Sequence, residues 1–252
     1  MTRHAEPVMG TVFSFDVRED PGVDPGVVER ALADAVAWLH QVDATFSTYR
    51  PGSVISRLGR GELDLADCPP DVADVLDRCA AAETRTGGYF TMTPGGALDP
   101  SAMVKGWAIE RASQILLKAG LVRHSVNGGG DVRLRGEPEP GRPWRVGVAH
   151  PLRPGRLAAV ITGRDLAVAT SGTAERGAHI VDPHTGRPPT ALASITLVGA
   201  DMTETDSMAT AAFAMGEAAR EWVEDQDGLE ALAVTATGHT WRTSGFARHT
   251  HA

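Results

Sequence analysis

The chain has 252 residues, of which 42% are hydrophobic and 22% are charged, an ordinary composition for a globular protein. Its formal net charge of -8 argues against nonspecific binding along nucleic-acid phosphates. The absence of any run of about 18 apolar residues excludes a membrane-spanning helix, and the N-terminal residues lack the pattern of a secretory signal. We therefore expect a single cytoplasmic domain over residues 1–252 that binds no nucleic acid.

Hydrophobic periodicity predicts a mixture of helices and strands. The first strand is predicted over residues 11–17, where Phe13, Phe15 and Val17 alternate on one face. Helices are predicted over 24–47, from 71 to a stop at 87–88, from 101 to a terminal glycine at 120, and over 206–215 and 217–224. Further strands are predicted over 121–126, 132–134, 144–149, 157–162, 166–170 and 195–198, and a final hairpin over 231–243.

The order of these elements indicates the fold class. Many strands are adjacent and joined by short turns, which favours antiparallel pairing, whereas helices and strands do not alternate as in a doubly wound parallel sheet. The two cysteines, Cys68 and Cys79, have neither zinc-site spacing nor enough partners for a disulfide framework. We predict an α+β fold of mostly antiparallel sheet with packed helices.

Four segments of the chain are dense in glycine, hydroxyl, carboxylate and histidine residues. The first two contain glycine and aspartate. In residues 99–106, a carboxylate at a helix entry precedes Lys105, which suits ribose and phosphate binding. Taken alone, a helix cap and a solvated lysine explain this segment better. In residues 127–131, three glycines lie between strands, and no helix follows as a dinucleotide fingerprint requires. A tight β turn is therefore the favoured interpretation there.

The other two segments carry a histidine and a carboxylate–hydroxyl pair. Residues 169–186 include His179, and a histidine that titrates near neutral pH can act as a general base, although a lone histidine is more often simply packed. In residues 204–216, Asp206 and Thr210 are spaced to share one helical face, and hard oxygen ligands suit Mg²⁺. On spacing alone, a capping Asp206 and a Thr210 bonded back to its own helix are favoured.

Taken together, these segments follow the order of one protein family. The motifs are MGT at 9–11, FSTYR at 46–50, TGGYF at 86–90, DPSAMVKG at 99–106, NGGGD at 127–131, TSG at 170–172, HIVDP at 179–183 with TG at 185–186, and DSMAT at 206–210. From about Val8 to Gly216, the chain resembles the ApbE-type FAD:protein FMN transferases, or flavin transferases, and in particular an actinobacterial variant. The family fold is α+β and resembles the T-fold, in agreement with the antiparallel prediction.

The resemblance implies a reaction. An enzyme of this family cleaves the FAD pyrophosphate with Mg²⁺, attaches FMN through a phosphoester bond to a Thr or Ser of a target flavoprotein, and releases AMP. Two alternatives remain open: an FAD pyrophosphatase that releases free FMN and AMP, and a flavin-binding protein without turnover. Production of AMP separates an enzyme from a binder, and a mass gain on the acceptor separates a transferase from a hydrolase.

The resemblance also implies a set of site residues. The FAD contacts fall at Met9, Tyr49, Tyr89, Phe90, Thr91, Asp99, Lys105 and Ile180. The metal ligands fall at Asp206, Thr210 and the backbone carbonyl of Ala102. The catalytic residues are Asp206 and His179, with His179 placed to deprotonate the acceptor hydroxyl.

Three features depart from the family pattern. Thr91 replaces the usual aspartate, and Ala102 stands where close relatives often have glycine, a change that a backbone ligand tolerates. The lipoprotein signal of many members is absent, so the acceptor protein is expected in the cytoplasm or on the cytoplasmic face of the membrane.

Overall fold

The computed structural model describes residues 1–19, 22–173 and 180–250. The strands are β1 (Thr2–Val8), β2 (Thr11–Val17), β3 (His124–Gly128), β4 (Asp131–Arg135), β5 (Trp144–Ala149), β6 (Leu157–Gly163), β7 (Ala167–Gly172), β8 (Leu192–Gly199), β9 (Glu230–Thr235) and β10 (Thr240–Arg242). The helices are α1 (Pro25–Phe46), α2 (Val54–Gly59), α3 (Pro70–Arg85), α4 (Ser101–Lys118), α5 (Met202–Met215) and α6 (Ala219–Glu224).

Eight of these strands form one sheet, in the order β1-β2-β3-β4-β7-β8-β9-β10. Every neighbouring pair in this sheet is antiparallel. Strands β5 and β6 form a separate antiparallel hairpin. The predicted α+β class with mostly antiparallel strands is confirmed, whereas the single domain over residues 1–252 stays a prediction.

The sheet has two covered faces, and the alternation of its side chains shows which element covers which face. In β7, Ala169 belongs to the core formed with the helices, whereas Val168 packs in a second cluster with the β5–β6 hairpin. In β8, Ile195 faces the helices and Val198 faces the hairpin. Because both faces are covered there, all eight residues of β8 are buried.

Helices α4 and α5 cross at very short distance, and Gly106 makes this crossing possible. A Cβ atom at position 106 would lie 2.6 Å from the carbonyl oxygen of Met202 and 2.7 Å from the Cβ atom of Asp206. No side chain fits into that space. The glycine therefore brings the Asp206 side chain directly beside the first two turns of α4.

The structure corrects several sequence predictions. Helix α5 begins at Met202 after the N-cap Asp201, so the alternative that made Asp206 the cap is wrong. The other half of that alternative is confirmed, since the Thr210 hydroxyl donates to the carbonyl oxygen of Asp206 at 3.3 Å. Strand β1 and helix α2 were not predicted. Strand β1 lies at the edge of the sheet and exposes every second residue, so it lacks a continuous apolar signal.

The two cysteines differ in burial, since Cys68 is partly buried and Cys79 is fully buried. Cys68 and Cys79 are both free, and burial raises the pKa of the Cys79 thiol to about 12. No helix in the described part of the chain has the length and apolar character needed to cross a membrane.

Replacement of Gly106 by alanine tests the α4–α5 crossing. Overpacking costs about 1–3 kcal/mol, and a backbone carbonyl cannot yield as a side chain does, so the loss exceeds the gain of about 1 kcal/mol in helix propensity. We expect Gly106→Ala to lower the free energy of unfolding in urea by about 1 kcal/mol. The control is Gly52→Ala, because Gly52 has open space around it. Equal stability of the two variants would contradict the role of Gly106.

A buried histidine links α4 to the start of β3. His124 Nε2 lies 2.8 Å from the Ser113 hydroxyl, and Nδ1 lies 2.6 Å from the carbonyl oxygen of Leu121. Because a carbonyl only accepts, Nδ1 carries the proton and Nε2 accepts from Ser113. Burial lowers the pKa of His124 to about 4.

This lowered pKa predicts a loss of stability in acid. Between the unfolded pKa of about 6.5 and the folded value, the unfolded chain binds the extra proton, so stability falls as the pH drops through this window. From pH 7 to pH 4.5, His124 should account for a loss of about 2–3 kcal/mol. Urea unfolding of the wild type and His124→Gln at both pH values measures it, since carboxylate effects are common to both proteins. An equal loss in the two proteins would refute it.

Candidate functional site

A cavity of about 1300 Å³ opens beside the start of α4 and the first half of α5. This volume exceeds the roughly 300–1,000 Å³ of most small-molecule pockets. The predicted site residues that line it are Tyr89, Phe90, Thr91, Asp99, Ala102, Lys105, Ile180, Asp206 and Thr210. The structure thus gathers into one cavity residues that are more than a hundred positions apart in sequence.

Three predicted residues are not among those that line the cavity. Met9 occupies the β1–β2 turn with a φ of 55° and packs against the core, and Tyr49 is 95% exposed in the turn after α1. His179 lies outside the described residues. The proposed FAD contacts of Met9 and Tyr49 and the proposed catalytic role of His179 stay predictions.

Lys105 joins two buried carboxylates at the centre of the site. Its Nζ atom donates to Asp206 Oδ1 at 2.8 Å and pairs with Asp131 Oδ2. Asp131 and Asp206 are 2% and 4% exposed, so neither charge is screened by bulk water. The alternative of a solvated lysine is therefore wrong.

Asp131 is a site residue to which the sequence patterns assign no role of its own. It begins β4 directly after the turn at Gly129 and Gly130, whose positive φ values of 61° and 96° confirm the predicted tight turn. The second carboxylate oxygen of Asp131 accepts from the backbone N–H of Thr170 at 2.8 Å. A carboxylate after a glycine-rich turn was the available signal, but only the pairing of β4 with β7 shows that it points inward.

One oxygen of Asp206 is left without a partner. Asp206 Oδ2 is buried and makes no hydrogen bond, whereas buried polar atoms in proteins are normally paired. The Asp131–Lys105–Asp206 cluster also retains one excess negative charge. An orphaned carboxylate oxygen in a negative pocket fits a cation.

The remaining donors favour a cation with few protein ligands. Thr210 and Ala102 line the same cavity as Asp206 and supply a hydroxyl and a backbone carbonyl. The described residues contain no group of three or more His, Cys, Asp or Glu side chains arranged for a metal. Mg²⁺ typically takes one or two carboxylates and completes its coordination with phosphate and water, so this donor set fits Mg²⁺ better than a fully protein-ligated metal.

Asp99, Tyr89 and Phe90 are further predicted ligands that line the cavity. Asp99 precedes the N-cap Pro100 of α4, its Oδ1 accepts from the backbone N–H of Ser101 at 3.0 Å, and it lines the cavity. The Tyr89 ring packs edge-on against His184 with a centroid distance of 4.5 Å. Phe90 beside it is only 1% exposed, so the aromatic surface at this position of the cavity comes mainly from Tyr89.

Glu110 is a second residue whose role the sequence does not reveal. It is buried in the core and connects the elements that carry the site. It is 3% exposed, its Oε2 accepts from the backbone N–H of Met202 at 2.9 Å, and its two oxygens pair with Arg133 and Arg135 at 2.9 and 2.7 Å. Burial lowers the pKa of Arg133. Glu110 therefore ties α4 to β4 and to the start of α5.

The Glu110 interaction predicts a large stability effect. Glu110→Gln keeps the shape of the side chain but leaves the buried Arg133 guanidinium without its counter-charge, and breaking such a pair costs about 3–5 kcal/mol. The free energy of unfolding in urea should fall by that amount. The control is Glu139→Gln, which removes an exposed pair with Arg142 worth about 0–1 kcal/mol. Similar losses in both variants would contradict the role assigned to Glu110.

Comparison with known proteins identifies the family of the chain. The profile of the ApbE family matches residues 9–98 and 91–233. The chain belongs to the ApbE family. The FAD:protein FMN transferase of Vibrio cholerae is 26% identical over 290 residues, covering 92% of this chain and 86% of that protein. The FAD:protein FMN transferase of Rhodobacter capsulatus is 32% identical over 197 residues, covering 71% of this chain but only 38% of that protein.

Solved structures show the same fold. The ApbE protein of Thermotoga maritima superposes with a TM-score of 0.88 at 23% identity, covering 100% of this chain and 99% of that one. The flavin transferase ApbE of Vibrio cholerae superposes with a TM-score of 0.85 at 22% identity, covering 98% of each chain. At these identities, the superpositions establish the architecture of the chain.

Proposed function

We propose that the protein is an FAD:protein FMN transferase that uses Mg²⁺. The observation that carries this proposal is the Asp131–Lys105–Asp206 cluster with its orphaned carboxylate oxygen, in a cavity large enough for a dinucleotide. The names of the curated relatives support the same activity. Attachment to Thr or Ser rests on the family resemblance alone.

The reaction is a phosphoryl-group transfer. The hydroxyl oxygen of a Thr or Ser on the acceptor flavoprotein attacks the FMN phosphorus of FAD, and the bond from that phosphorus to the bridging oxygen breaks. AMP leaves with the bridging oxygen, and the hydroxyl proton passes to a base, for which His179 is our candidate. No electrons are exchanged, so the flavin keeps its oxidation state.

Different described residues would bind different parts of FAD and the metal ion. Lys105 lines the cavity and would place a positive charge beside the pyrophosphate, and Asp99 would present a carboxylate to the ribose or adenine. The Tyr89 ring, with Phe90 packed beside it, supplies apolar contact. Asp206, Thr210 and the Ala102 carbonyl would hold Mg²⁺, which when bound neutralises phosphate charge and stabilises the leaving AMP.

A direct assay separates this function from its alternatives. The purified protein is incubated with FAD, Mg²⁺ and a clarified lysate of the source organism, and AMP is measured by chromatography. Covalent flavin is detected by fluorescence in a denaturing gel and located by mass spectrometry. AMP with a gain of FMN on a Thr or Ser supports the transferase. AMP with free FMN indicates a pyrophosphatase, and FAD binding without AMP indicates a binding protein. The cytoplasmic location stays a prediction, which cell fractionation tests.

Asp206 is expected to be essential for turnover but not for folding. Asp206→Asn keeps the shape of the side chain and removes the charge that would hold a divalent ion, a contribution worth several kcal/mol in the transition state. AMP release at saturating FAD should fall by at least about a hundredfold. The thermal midpoint without metal should change little, because Lys105 keeps Asp131 as its partner.

The matched control for this experiment is Asp34→Asn, which changes an exposed aspartate on α1. Magnesium titration followed by calorimetry gives a readout that does not depend on turnover. A folded Asp206→Asn protein with the AMP release and magnesium affinity of the control would exclude the metal role.

A further inference from the structure

The cavity extends well beyond the residues assigned to FAD. A second half, lined by parts of β1, β2, β3 and β5, continues from Asp131 along the face of the sheet that the helices do not cover. None of the predicted FAD or metal ligands lies in this half. We call it the β5 groove; it is bounded by residues 144–149 and floored by Ala5, Ser14 and Asn127.

One wall of the β5 groove is a free strand edge. All six consecutive residues of β5 line the cavity, whereas no described residue of β6 does. Because β6 contributes no lining residue, the cavity borders the hairpin on the side of β5 that faces away from β6. Among the described residues, β5 pairs only with β6, so its other edge has backbone N–H and C=O groups open to an incoming strand.

One row of side chains across the floor of the groove is small. Ala5, Ser14 and Asn127 lie directly across from one another on β1, β2 and β3. This row ends at Asn127, whose side-chain oxygen accepts from the backbone N–H of Gly130, beside Asp131. Small side chains leave depth for an extended backbone, and the row leads to the site of the chemistry.

The groove also carries unbalanced positive charge. Asp16 on its floor accepts from both Arg3 and Arg18, at 3.1 and 3.0 Å. Arg145 on β5 is exposed and has no hydrogen bond or ion pair within the described part of the chain. In a protein with a net charge of -8, this is a local excess of arginine.

We propose that the β5 groove binds the acceptor flavoprotein. The segment that carries the acceptor Thr or Ser adds to the edge of β5 as an extended strand, with an acidic side chain paired to Arg145. Strand addition supplies affinity through main-chain hydrogen bonds and specificity through alternate side chains. This inference rests on the proposed transferase function, and it names the partner surface that this function requires.

The test uses a synthetic peptide of about a dozen residues centred on the Thr or Ser that the wild-type protein labels in the lysate assay. Transfer of FMN to the peptide is followed by mass spectrometry, and the peptide KM is measured at saturating FAD. Ser14→Trp fills the groove floor. The matched control is Val12→Trp, because Val12 is 52% exposed two positions earlier on β2 and does not line the cavity. Measurement of FAD affinity by fluorescence shows whether each variant still binds FAD.

We expect Ser14→Trp to raise the peptide KM at least about tenfold while Val12→Trp stays within about twofold. Arg145→Glu should raise the KM of an acidic peptide, and exchange of the acidic residue for lysine should restore it; Arg242→Glu on β10 is the distant control. Saturating peptide should slow amide hydrogen exchange in β5.

The two proposals fail in different ways. Equal peptide KM values for Ser14→Trp and Val12→Trp, in proteins that bind FAD and with no protection of β5, would overturn the groove and leave the transferase standing. A wild-type protein that binds FAD but transfers FMN to no acceptor would overturn the transferase, and the groove proposal with it.

Discussion

The site depends on a lysine placed between two buried carboxylates. Asp131 and Asp206 would repel each other without Lys105, because neither is in contact with bulk water that could screen its charge. One ammonium group cannot neutralise two carboxylates, so the cluster stays negative and Asp206 Oδ2 stays unpaired. This arrangement keeps two carboxylates close together and leaves one negative charge unneutralised. A divalent cation could therefore bind there, as the proposed reaction on a pyrophosphate requires.

The elements that carry the cluster are joined a second time in the core. Lys105 on α4 reaches β4 and α5 at the cavity, and Glu110, just over one turn later on the same helix, reaches the same two elements through Arg133 and the Met202 N–H. Gly106 lies between these two connections and allows the close crossing. The cluster is therefore positioned by regular elements with interlocked partners rather than by loops, which limits the error in its geometry.

The sequence predicts the features that depend on local patterns, and it does not predict the contacts that depend on how distant segments pack together. Long helices such as α1 and α4, and the hairpin turn at residues 128–130, have strong local signals and were predicted. The sequence pattern predicts the start of α5 four residues too late, because a helix buried on nearly all sides shows little periodicity. The roles of Asp131 and Glu110 depend on strand order and helix crossing, which no local pattern contains. The family resemblance supplied Asp206 and Lys105, but not the pairing between them.

The shape of the cavity bears on whether water or an acceptor takes the FMN group. A cavity of about 1300 Å³ admits water as readily as a side chain, so exclusion of water by the empty protein cannot be what favours transfer. A hydroxyl held in line by a bound strand reaches an effective concentration of about 10⁵–10⁸ M, far above that of water. Occupation of the β5 groove would therefore favour transfer over hydrolysis for two reasons. The bound strand presents the hydroxyl, and it displaces solvent from the half of the cavity next to Asp131. On this argument, the partition between transfer and hydrolysis is set by affinity for the acceptor and not by a change at the carboxylate cluster.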